Sequence, residues 1–101
     1  MTYQSLSRTP SRSRRNRAAR DPVYAALDLG TNNCRLLIAC PAPEGFKVID
    51  SFSRIVRLGE GVGATGQLSG EAMGRTIDAL DICARKIRRR RVTHSRLVAT
   101  E

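Results

Sequence analysis

A chain of 101 residues with 41% hydrophobic content has the length of one small domain, whose surface-to-volume ratio limits its core. Only Tyr3, Tyr24, Phe46 and Phe52 are aromatic and there is no Trp, so that core must be built from Leu, Ile, Val and Ala. The formal charge of +9 is uneven: six arginines (8, 12, 14, 15, 17, 20) precede the first acid, Asp21, and 12 basic and 9 acidic groups share the rest.

The three cysteines, Cys34, Cys40 and Cys83, are an odd number without metal-ligand spacing, and the single histidine, His94, has none of them nearby in sequence. That pattern argues against a disulfide framework or structural zinc and fits free thiols in a reducing, cytoplasmic setting. No stretch approaches the roughly 18 to 20 apolar residues of a membrane span, so no membrane partner is expected.

Residues 1–22 are rich in Ser and Arg and nearly empty of large apolar side chains. Such a segment buries too little surface to offset its conformational entropy, and the expectation is a disordered basic tail. It could attract polyanions weakly or act in targeting, although the apolar core of a secretory signal is missing. Pro22 marks the boundary with the folded region, residues 23–101.

Val23–Leu29 is an apolar run with one carboxylate, Asp28, near its end. It breaks at Gly30-Thr31-Asn32-Asn33 and resumes at Cys34–Cys40, the pattern of a β-hairpin with a tight polar turn. An acid beside a turn of main-chain N–H groups, a hydroxyl and amides is a cradle suited to phosphate and its metal. Pro41, Pro43 and Gly45 make the next turn. Phe46–Leu58 reads as a third strand with a bulge near Asp50-Ser51, completing an antiparallel meander.

Residues 59–66 (GEGVGATG) form a Gly-rich loop. It lacks the Gly-Lys-Ser/Thr of a Walker A loop, and the G-x-G-x-x-G spacing of Gly61, Gly63 and Gly66 has no strand–turn–helix context, so a structural loop is expected. Ser69 caps the one strong helix, with Glu71 in its first turn. Met73, Ile77, Leu80, Ala84 and Ile87 recur at helical period, widened by Thr76, Ala79 and Cys83. Arg75, Asp78, Asp81, Arg85 and Arg88 are assigned to the solvent face, and Arg88–Arg91 crowd the C-terminal end. Arg96–Thr100 reads as a fourth strand, parallel to the first. The order β-β-β-α-β gives an α/β fold with a mixed sheet, one face of which a single helix leaves bare.

Three stretches in this order, DLGTNNCRLL (28–37), RIVRLGEGV (54–62) and LVATE (97–101), resemble the N-terminus of the exopolyphosphatase/guanosine pentaphosphate phosphohydrolase (Ppx/GppA) family. The resemblance implies part of a ribonuclease-H-like domain of the actin and heat-shock-chaperone ATPase superfamily. It implies release of terminal orthophosphate from polyphosphate or pppGpp, with Mg²⁺ as cofactor and members that are often dimeric. By that resemblance Asp28 would position Mg²⁺ through water, and Gly30, Thr31, Asn32 and Asn33 would offer donors to phosphate. Arg35 and Arg57 would stabilise charge. The family often has Ser at the positions of Thr31 and Asn33.

The family's second phosphate loop, of Asp-x-Gly-Gly-Gly-Ser type, and its Glu-rich stretch supplying the base are not in these 101 residues, so no catalytic residue is assigned. The expectation is a phosphatase piece that is inactive alone. Two alternatives stand beside it: a non-catalytic polyanion-binding half-domain, and a fragment of a sugar-kinase-like ATPase.

Overall fold

The computed structural model describes residues 21–99 and, as backbone, residues 2–7. Its elements are β1 (Thr2–Ser7), β2 (Tyr24–Leu29), β3 (Asn33–Ala42), β4 (Gly45–Ile55), a single helical turn α1 (Val62–Thr65), the long helix α2 (Gly70–Arg89) and β5 (His94–Ala99). The five strands form one sheet in the order β1-β5-β2-β3-β4.

The central meander follows from alternation and turn chemistry. β2 and β3 pair antiparallel, Leu29 opposite Cys34 and Asp28 opposite Arg35, across the short turn at residues 30–32. β3 and β4 pair antiparallel with a register shift: Ile38 faces Asp50 but Ala39 faces Val48, leaving Ile49 as the bulged residue. The bulge thus falls one residue before the expected Asp50-Ser51. β4 ends at Ile55, short of the expected Leu58, because the next two N–H groups leave the ladder for the hairpin turn. α2 carries the chain back so that β5 lies parallel to β2, with Leu27 opposite Leu97.

The expectation of a disordered segment over residues 1–22 is corrected at its start. Thr2–Ser7 pair antiparallel with β5, Thr2 opposite Ala99 and Ser7 opposite His94. A ladder is built from main-chain groups and needs no apolar face, so a polar segment can occupy the otherwise open edge of β5. The remainder of the expected tail, residues 8–20, lies outside the described residues.

α2 starts where the sequence places it, with Ser69 Oγ accepting the Ala72 N–H at 3.0 Å. Its buried face keeps one side of the expected stripe: Thr76, Ala79 and Cys83 are buried together with Ala72, whereas Met73 and Ile77 are exposed. Small side chains let the helix approach β3 closely, and they, not the largest apolar residues, form the line of contact. Thr76 is buried without penalty because its hydroxyl donates to the Ala72 carbonyl at 2.9 Å.

The core lies between this face and one side of the sheet: Ala25, Cys34, Leu36, Ile38 and Val56, with Leu27, Phe52, Leu80 and Ile87 packed around it. Burying a side chain such as Ile38 or Val56 contributes about 1.5–3 kcal/mol each. The Asp50 carboxylate fastens the helix end to β4 through Lys86 Nζ at 3.1 Å and Arg90 Nε at 3.3 Å. Among the described residues no element packs on the other side of the sheet, where Leu37, Phe46 and Val48 are exposed.

Candidate functional site

The turn between β2 and β3 is fixed by its carbonyls. Gly30 N–H donates to the Asn33 carbonyl at 2.9 Å, closing the turn on itself. The Asn32 carbonyl accepts two N–H groups, from Val56 at 2.8 Å and Arg57 at 3.1 Å. The Thr31 carbonyl accepts the Gly59 N–H at 3.0 Å, and a side chain at position 59 would meet the Thr31 Cβ at 3.6 Å. Two segments remote in sequence are therefore stitched together, the turn at 31–32 and the loop at 56–60.

This stitching decides which way the turn faces. In a trans peptide the N–H points opposite to the C=O. With the Thr31 carbonyl directed at Gly59, the Asn32 N–H is directed outward. Among the described residues neither the Thr31 nor the Asn32 N–H has a partner within the chain, and both residues are exposed. Successive main-chain N–H groups without internal partners can make an anion-binding concavity.

An open hollow of about 520 Å³ lies beside them, lined by Thr31, Asn32, Arg57, Gly59 and Glu60. Arg57 has φ +50°, a left-handed conformation uncommon outside glycine. Its strain is sustained by its neighbours. Arg57 N–H is held by Asn32, and its carbonyl accepts Glu60 N–H at 3.0 Å. From α2, Arg75 donates through Nε to the Val56 carbonyl at 2.9 Å and through Nη2 to the Arg57 carbonyl at 3.4 Å and the Glu60 carboxylate at 2.8 Å.

The residues expected to form the site do not all converge. Thr31, Asn32 and Arg57 share the hollow. Gly30 and Asn33 close the turn, which commits the Gly30 N–H and leaves it unavailable to a ligand. Asp28 and Arg35 are exposed cross-strand neighbours on the face that α2 leaves bare. Sequence reasoning missed Arg75, assigned to the solvent face, and gave Glu60 no role. The left-handed Gly61 (φ +81°) and Gly66 (φ +74°) bracket α1, so their spacing serves the backbone path.

The Ppx/GppA phosphatase family model matches residues 37–101, more than half of the sequence. The chain belongs to the Ppx/GppA phosphatase family. Arg57, Glu60 and Arg75 lie inside the matched span, and the turn at 30–33 lies before it.

Among relatives of this family member, "Exopolyphosphatase 2" of Mycobacterium tuberculosis is 42% identical over 80 residues, covering 75% of this chain and 25% of that protein. The "Guanosine-5'-triphosphate,3'-diphosphate pyrophosphatase" of Vibrio vulnificus is 33% identical over 85 residues, covering 84% of this chain and 17% of that protein. A crystal structure of the Aquifex aeolicus Ppx/GppA family member matches with a TM-score of 0.75 at 30% identity, over 81% of this chain and 27% of that one. The fold is thus part of the family's actin-like, ribonuclease-H-like domain. The chain spans about a quarter or less of the length of these two curated relatives.

Proposed function

We propose that this chain supplies one side of the phosphate site of a phosphoanhydride hydrolase acting on polyphosphate or pppGpp, and that alone it binds phosphate without turnover. The observation that carries the reading is the lock between the turn and the loop. Thr31 and Asn32 spend their carbonyls inward on residues 56–59, their N–H groups have no partner among the described residues, and both residues line the hollow that Arg57 also lines.

Phosphoryl transfer to water depends on positioning and on donors and cations aimed at the phosphate oxygens. The Thr31 and Asn32 N–H groups, the Thr31 hydroxyl and Arg57 are donors of that kind. Gly30 and Asn33 act indirectly, by closing the turn. Arg35 lies beside Asp28 on the sheet face leading to the turn, where its cation adds attraction for phosphate.

For Mg²⁺ the donor set is thin but suitable. No group of three or more metal-ligating side chains occurs among the described residues. Mg²⁺ commonly keeps several waters and binds through one or two carboxylates together with substrate phosphates. A single exposed carboxylate next to a phosphate-binding turn fits that mode, and Asp28 is the residue that would hold the ion. When bound, Mg²⁺ would neutralise phosphate charge.

The 101 residues contain no second Gly-rich phosphate loop of the Asp-x-Gly-Gly-Gly-Ser type. The purified chain with Mg²⁺ and long-chain polyphosphate should therefore release no orthophosphate above blank. Sustained release would overturn the proposal that these residues are inactive alone.

A further inference from the structure

Four main-chain polar groups, the N–H and C=O of Val56 and of Arg57, are all engaged between two elements. The N–H groups go to the Asn32 carbonyl of the turn, at 2.8 and 3.1 Å. The carbonyls accept from the Arg75 guanidinium of α2, at 2.9 and 3.4 Å. One side chain thus completes a bracket running from the helix, through the Arg57 backbone, to the turn.

The same guanidinium reaches the Glu60 carboxylate at 2.8 Å. Glu60 lines the hollow together with Arg57, Thr31 and Asn32. An uncompensated carboxylate there would repel an anion and compete with it for Arg57. The Arg75–Glu60 pair is partly exposed, and such pairs contribute little to stability. Its importance is local: it sets the charge of the hollow and holds Glu60 to one side.

We propose that Arg75 is a positioning residue for the anion site, fixing the left-handed Arg57 backbone against the turn and neutralising Glu60. This rests on the phosphate reading above. Arg75 touches no phosphate itself; it acts through Arg57 and Glu60. Lysine cannot replace it, because an ammonium lacks the planar fork that serves two carbonyls and a carboxylate together.

The test uses the 101-residue chain, with tripolyphosphate and Mg²⁺ as the probe, titrated calorimetrically. Arg75→Met is expected to bind about tenfold more weakly, the scale of losing charged hydrogen bonds. Arg75→Lys should fall between that variant and the parent. Adding Glu60→Gln to Arg75→Met should recover part of the lost affinity, which a merely destabilised fold would not do. Without the probe, amide exchange in Arg75→Met should accelerate at Val56, Arg57 and Gly59 while Leu36 and Ile38 keep their protection.

Unchanged affinity in Arg75→Met, no recovery on adding Glu60→Gln, or exchange that rises uniformly across the sheet would each overturn the proposal. If the unaltered chain binds no tripolyphosphate, the phosphate reading fails, and the neutralising role of Arg75 fails with it. The exchange rates then decide by themselves whether Arg75 fixes the 56–60 backbone.

Discussion

The thiol sulfurs of Cys34 and Cys83 lie 3.9 Å apart, fully buried where β3 meets α2. Burial pushes both thiols up, Cys83 to about 12, with the neighbouring Cys34 sulfur adding to the effect. The ordinary value is 9.0, so above that pH the folded chain holds protons that the unfolded chain has released. The contribution of the buried Cys83 thiol to folding stability is accordingly full below pH 9.0 and falls as pH rises toward about 12. Thermal melts across this window should show the decline, and Cys83→Ala should flatten it. In the native chain near neutral pH, a thiol reagent should modify the partly exposed Cys40 first.

The Asp50 carboxylate gives the opposite dependence. Its hydrogen bonds from Lys86, then Arg90 and the Ser51 N–H, hold it below the ordinary carboxylate value of 3.8. The stability it contributes is present above pH 3.8 and is lost as pH falls through the lower folded value. Asp50→Asn should melt at a lower temperature than the parent at pH 7, and the two melts should converge in acid.

The buried face of α2 separates two isoleucines. Ile38 is fully buried in the sheet, and Ile38→Ala should cost about 2–5 kcal/mol. Ile77 is 60% exposed on the helix, and Ile77→Ala should stay within about 0.5 kcal/mol of the parent. Denaturant titrations of the two variants decide it. A large loss at Ile77 would mean that the helix contacts the sheet through the Met73–Ile77 stripe after all.

Leu37, Phe46 and Val48, exposed on the side of the sheet away from α2, form an apolar surface of the kind that captures hydrophobic dyes. The folded chain should enhance the fluorescence of such a dye, and Leu37→Ser with Phe46→Ser should reduce the signal without changing the far-ultraviolet circular dichroism. An unchanged signal would place the dye elsewhere.

The meander, the helix cap at Ser69 and the parallel last strand were legible because each has a local cause: alternation, a turn residue or an oxygen that accepts an N–H. The helix face was legible in part: Thr76, Ala79, Cys83, Leu80 and Ile87 meet the core as the period places them, whereas Met73 and Ile77 do not. Here Ala72, Ala79 and Cys83 make the contact, and their smallness is what permits it. The edge strand at Thr2–Ser7 was invisible because its pairing is carried by main-chain groups that every sequence possesses. The existence of a tight turn at 30–33 could be read from its composition. The turn's division into closing residues (Gly30, Asn33) and outward residues (Thr31, Asn32) could not, because it depends on carbonyl partners 24 to 28 positions away. Arg75 was hidden for the same reason: nothing near it in sequence announces two carbonyls and a carboxylate from another loop.

The central claim is that the Thr31–Asn32 edge and Arg57 form an anion site that binds without turnover. Its most direct test is a backbone amide titration of the 101-residue chain with tripolyphosphate and Mg²⁺, followed by nuclear magnetic resonance. Saturable shifts at Thr31, Asn32 and Arg57, with no orthophosphate released, are predicted. Shifts confined to the basic helix end at Arg88–Arg91, with the turn unmoved, would contradict it.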